Sequence, residues 1–86
     1  MIRLWAKIMI DHRIKKDLIY ESIEHYSRDT LFSHISEICH QLDIPTPVII
    51  NAHYLTYENF NNIKFVPRDF VENIDFDSLV IENALI

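Results

Sequence analysis

Five histidines (His12, His25, His34, His40 and His53) and one cysteine, Cys39, are the residues of this 86-residue chain best suited to bind a metal or carry protons. Ligation from a helix needs its ligands on one face, three or four residues apart. Cys39 and His40 are adjacent and so point about 100° apart on a helix, while His34 and His40, six apart, lie on different faces. No C-x-x-C, H-x-x-x-H or H-E-x-x-H spacing occurs. The sequence therefore predicts no metal and no cofactor, and Cys39 reads as a small hydrophobe within an apolar stripe. His25, between Glu24 and Tyr26, is the candidate general base if the chain is a small enzyme with acidic neighbours. The competing reading is a solvated loop histidine, because no nucleophile is fixed beside it. Asp75-Phe76-Asp77, with Glu72 near, offers oxygens to a hard cation, but such sites need six or more. The simpler reading turns Phe76 inward and leaves both acids in water.

No glycine is present. That excludes the phosphate-cradling loops, the EF-hand turn and the G-x-S-x-G elbow, so Ser22, Ser27, Ser33, Ser36 and Ser78 read as caps and surface. The net charge of −5 is unevenly spread: residues 1–16 carry five bases and one acid, residues 17–86 three bases and twelve acids. An acidic surface repels phosphate backbones, which makes nucleic-acid binding through Arg3, Lys7, Arg13, Lys15 and Lys16 the weakest functional reading. The basic N-terminal segment is expected to pair with acidic strands inside one sheet. A single cysteine, an opening interrupted by Arg3 and Lys7, and apolar runs far short of a membrane span lead to the expectation of a cytoplasmic protein.

These side chains need elements to hold them. Ile2, Leu4, Ala6, Ile8 and Ile10 alternate with Arg3, Trp5, Lys7 and Met9, the period of a strand with one buried face. A second run, Ile14 to Ile23, pairs with it if residue numbers sum to 24. Ile10 then meets Ile14, Ala6 meets Leu18 and Leu4 meets Tyr20, with Lys7–Asp17, Arg3–Glu21 and Trp5–Ile19 on the other face. That register predicts a three- or five-residue loop centred on His12 in preference to a two-residue Asp-His turn. Leu31, Ile35, Ile38 and Leu42 recur at helical spacing and predict a helix over 30–42, with Ser27, Asp29 and Thr30 as candidate N-caps and Pro45 and Pro47 ending it. Further along, the sequence predicts a helix over 52–60, αL-tolerant Asn61 and Asn62, a short strand over 63–66, a helical turn opened by Pro67, and a last strand over 78–85.

The segments MIRLWAKIM, ICHQLDIPTPVII and KFVPRDFVENIDFDSLVIENA resemble a family of short bacterial proteins of unknown function from the low-GC Gram-positive lineage, along essentially the whole chain. The resemblance implies a small bacterial cytoplasmic protein and carries over no functional residue.

The expected architecture is one α+β domain over residues 1–86. It has a mainly antiparallel sheet, built from the N-terminal hairpin and C-terminal strands, with one main helix on one face and a shorter second helix. The expected function is a non-enzymatic protein-interaction module that binds itself or another protein. Two surfaces are candidates. One is the strand face bearing Trp5 and Met9 among Arg3 and Lys7, where covering by the chain's own C-terminal half is expected ahead of covering by a partner, because so short a domain needs its aromatics for the core. The other is the terminal strand with Val80 and Leu85, expected at a sheet edge open to a partner strand or to a symmetric copy.

Overall fold

The structure, a computed structural model, describes residues 1–85. Elements run in the order β1 (Ile2–Ile10), β2 (Arg13–Ser22), α1 (Arg28–Leu42), α2 (Asn51–Phe60), β3 (Asn62–Phe65), a 3-10 turn (Pro67–Asp69) and β4 (Ser78–Asn83). The four strands form one antiparallel sheet in the order β2-β1-β4-β3, which with the two helices makes an α+β domain.

The β1–β2 hairpin follows the sum-24 register from Ile2↔Ser22 to Ile8↔Lys16 and then departs from it, pairing Met9 with Ile14 and Ile10 with Arg13. The predicted loop and the Ile10–Ile14 pair are therefore corrected. Asp11 and His12 form a two-residue turn with both φ values positive, 52° and 63°, the mirror-image geometry that matches strand twist. Lys15 is left over as a bulge and absorbs the shift in register. The turn is held from outside, because the Asp11 N–H donates to Asp77 Oδ2 at 2.8 Å.

Helix α1 begins two residues earlier than expected, at a reciprocal cap. Ser27 Oγ accepts from the Thr30 N–H at 3.1 Å, and Thr30 Oγ1 accepts from the Ser27 N–H at 2.9 Å. It ends in a left-handed Asp43, where the Asp43 and Ile44 N–H groups satisfy the carbonyls of His40 and Cys39. Val48 to Ile50 form no strand and lead into α2, whose start is capped by the His53 ring: Nδ1 accepts the Ile50 N–H at 3.0 Å. Asn61 closes α2 with φ of 61°, so all four positive-φ residues among the described ones are Asp, His or Asn, the types that tolerate αL best.

One core holds these parts together. The alternating Ile2, Leu4, Ala6 and Ile8 of β1 and Leu79 and Ile81 of β4 point to one side of the sheet. There they meet Leu31, Ile35, Ile38 and Leu42 of α1. On α2, Tyr57 joins the same core and the His53 ring packs on Phe65 with centroids 4.7 Å apart. Both helices thus cover the same face.

The last strand corrects the expectation of a C-terminal edge. β4 is paired on both sides, with β1 and with β3, so its backbone is not open to an added strand. Leu85 lies beyond the strand, its N–H bonded to Asn83 Oδ1 at 2.9 Å; Ile86, the end of the predicted apolar run, lies outside the described residues. No helix among the described residues is long and apolar enough to cross a membrane.

Candidate interaction surface

The second face of the sheet carries no helix. The registers place Arg3, Trp5, Lys7 and Met9 of β1 beside Ile14, Asp17, Ile19 and Glu21 of β2, with Ser78, Val80 and Glu82 of β4 and Asn62 and Lys64 of β3 completing it. The C-terminal half adds β4 and β3 to this face and lays no helix or strand over it, so the self-covering expectation for Trp5 and Met9 fails, while both side chains and Val80 are half-buried among their neighbours. Ile14 and Ile19 remain 46% and 49% exposed, and an antiparallel sheet can leave one face in water only if that face is mostly polar. Here an apolar group of Trp5, Met9, Ile14, Ile19 and Val80 is interleaved with charges.

Most of those charges have a neighbour within the face, and Lys64 has none among the described residues. Trp5 Nε1 donates to Asp17 Oδ2 at 2.8 Å, and Lys7 Nζ bonds Glu82 while lying 4.2 Å over the Trp5 ring. Arg3 approaches Glu21 at 3.9 Å. The indole and the Lys7 stem are thereby fixed in place, since each has two anchors. A cleft of about 270 Å³ lined by Met9, His12, Lys64, Asp77 and Val80 ends this face beside the hairpin tip.

Of the sequence-predicted positions, Trp5, Met9, Arg3, Lys7 and Val80 therefore come together on one surface, Val80 through its side chain and not through a free edge. Leu85 lies apart, at the rim of a second cleft of about 260 Å³ lined by Arg3, Tyr26, Tyr57, Glu58 and Asn83. The true edges, β2 and β3, are blunted. β2 carries the Lys15 bulge and Lys16, and β3 is four residues long with Lys64 at its centre.

The basic residues do not form a free patch. Besides the pairs above, Lys15 sits 4.0 Å from Asp75, and Lys16 Nζ donates to the Leu42 carbonyl at 3.3 Å. His25 is exposed in the loop after β2, and its ring makes no hydrogen bond or ion pair among the described residues. No group of three or more His, Cys, Asp or Glu side chains converges as a metal site among them. Phe76 is buried edge-on against Phe70 at 5.6 Å while Asp75 and Asp77 stay exposed.

Two polar constellations went unseen in the sequence. His34 is buried in α1 with Nδ1 at 2.8 Å from the Tyr20 hydroxyl and Nε2 at 3.6 Å from Glu24, too far for a hydrogen bond. Desolvation, then Glu37 and Glu24, raises the Tyr20 phenol. The other lies at the start of α1, where Arg28 grips both Glu58 oxygens at 3.0 Å and the Tyr26 hydroxyl donates to the same carboxylate. Arg28 and Tyr26 hold the Glu58 carboxyl down at about 2, and burial followed by the Glu58 bond pushes Tyr26 up to about 12. This clamp joins α1 to α2 and needs no ligand to explain it. Only the Ser27-x-x-Thr30 spacing hinted at structure there. Comparisons with models of protein families, with curated proteins and with solved structures returned no match.

Proposed function

We propose that this chain is a small bacterial, cytoplasmic protein-interaction module that works through the helix-free face of its sheet and catalyses no reaction. One observation carries the reading: both helices pack on the same face, leaving Trp5, Met9, Ile14, Ile19 and Val80 together on the other. A fixed tryptophan beside arginine and lysine, ringed by polar groups, is the composition of an interface anchor. Blunted edges direct a partner to the face. The enzyme alternative loses its footing because His25 stands alone in solvent, and nucleic-acid binding loses its own because Arg3, Lys7 and Lys15 lie against acids.

A photoreactive amino acid at position 19, on the open face, or at position 32, exposed on α1, tests this reading in the living cell. The proposal expects protein cross-links from position 19 that fall away with Trp5→Ala, and none of matching strength from position 32. Equal cross-linking from both, or none from position 19, would contradict it.

A further inference from the structure

We infer that the partner seated on the open face is a second copy of this chain, packed sheet to sheet about a twofold axis running parallel to the strands between β1 and β4. The inference rests on the binding-module reading of the same face and adds the identity and orientation of the occupant.

The order of charges across the face sets the orientation. Across the open face the strands carry Asp17 and Glu21 on β2, Arg3 and Lys7 on β1, Glu82 on β4 and Lys64 on β3. Column by column the sign runs negative, positive, negative, positive, so reversal about the midline of the sheet exchanges every sign. A twofold axis along that midline lays β2 of one copy over β3 of the other, and β1 over β4. In register Asp17 then lies over Lys64, while Glu82 lies over Trp5 of the other copy with its Arg3 and Lys7 one row to either side. The registers Lys7↔Asp17, Lys7↔Val80 and Lys64↔Val80 set Asp17 and Lys64 in one row, so the axis brings that pair together twice. An axis across the strands would instead stack each column on its own sign, Asp17 and Glu21 against their counterparts. The column pattern thus selects the first packing, whose aligned strands are one of the two arrangements that packed sheets adopt.

Electrostatics also favours this surface over others for self-contact. The chain as a whole is at −5, yet the six charges named above balance, so two acidic copies approach here without concentrated repulsion. Size sets the strength. Four strands about 4.8 Å apart and a six-residue β4 rising about 3.4 Å per residue give a footprint of roughly 19 by 20 Å. That is smaller than the roughly 800 Å² per partner of a standard stable interface, so the dimer is weak and forms at tens to hundreds of micromolar.

Sedimentation equilibrium of the full chain at low salt, from about 10 μM to about 1 mM, tests this. Wild type is expected to pass from monomer to dimer. Lys64→Glu alone and Asp17→Lys alone each create two like-charge contacts and should weaken association about tenfold. An equimolar mixture of the two variants should regain association to within about threefold of wild type, because position 17 of one then faces position 64 of the other with opposite charge. Recovery on mixing also shows that neither variant has misfolded. A wild-type chain that stays monomeric throughout, or variants that fail to rescue one another, overturns the inference. If such a monomer still gives cross-links to another protein from position 19, the second copy is excluded while the binding-module reading stands.

Discussion

Trp5 and Asp17 are joined across the β1–β2 ladder by a 2.8 Å hydrogen bond from the indole Nε1 to Oδ2, in the row next to Asp17's own cross-strand neighbour, Lys7. Lys7 closes the arrangement from above, 4.2 Å from the ring centroid. An indole held by a carboxylate on one side and an ammonium on its face loses little further freedom when a partner arrives, which is how an anchor becomes pre-organised. Asp17→Ala should therefore speed solvent exchange of the Trp5 indole proton, seen by NMR, and lower stability in urea by only about 0.5 kcal/mol, since the bond is exposed. An unchanged indole exchange rate would remove the pre-organisation argument.

The Asp11-His12 turn stores backbone strain. Both residues hold positive φ, a conformation that Asn-Gly adopts at far lower cost. Replacing the pair by Asn-Gly should raise stability by about 1 kcal/mol, or several degrees in Tm. The bond to Asp77 Oδ2 is donated by the backbone N–H of residue 11 and survives the change. A fall in Tm by calorimetry would show that the side chains of Asp11 or His12 do something the geometry does not explain.

That turn also shows where sequence reasoning stopped. Strict alternation in β1 and the charge pairs Lys7–Asp17 and Arg3–Glu21 made the strand register legible, and the Leu31-Ile35-Ile38-Leu42 stripe made the helix legible, because both signals are local. The bulge at Lys15 was not, since a residue that slips out of a ladder leaves no mark on the apolar pattern. The position of β4 was hidden for another reason: an apolar terminal strand reads the same at an edge or at the centre, and only the pairing of the predicted short strand, β3, on its outer side decides. Trp5, Met9, Arg3 and Lys7 were recognisable as one surface from their shared phase. Val80 joined them through pairing alone, and the Tyr20–His34 contact depends on how α1 sits on β2.

His34 fills core volume while leaving Nε2 without a hydrogen bond. Phe at this position keeps the volume and removes the orphan but gives up the 2.8 Å bond to the Tyr20 hydroxyl, so His34→Phe should cost only about 1 kcal/mol. His34→Ala empties the site and should cost about 2 to 4 kcal/mol. Urea unfolding of the two variants checks the pair, and equal losses would contradict the packing account.

The Arg28–Glu58–Tyr26 clamp makes stability depend on pH at both extremes. Glu58 lies at about 2 in the folded chain against an ordinary 4.5, so its contribution is present above pH 4.5 and is lost as the pH falls towards 2. Tyr26, raised from 10 to about 12, contributes fully below pH 10 and loses that contribution as the pH rises through 12. Carboxyl NMR should place the Glu58 midpoint near 2 in wild type, and Arg28→Met should move it up towards the ordinary range. A Glu58 midpoint unmoved by that substitution would show that the clamp is not what holds it down.

Cys39 is fully buried, and desolvation pushes its thiol up to about 12. Reaction with a disulfide reagent should thus follow unfolding, negligible in buffer and complete in denaturant. Rapid labelling of the native chain would contradict the packing of α1 on the sheet.

The claim on which the account turns is that the face around Trp5 is the surface this chain uses to bind. Trp5 is the only tryptophan, so acrylamide quenching of its fluorescence reads that face directly as the protein is concentrated. Quenching that falls as the concentration rises through the high micromolar range, and falls less in Lys64→Glu, is the predicted result. Quenching that is constant across the range, in wild type and variant alike, together with no cross-links from position 19, would contradict it.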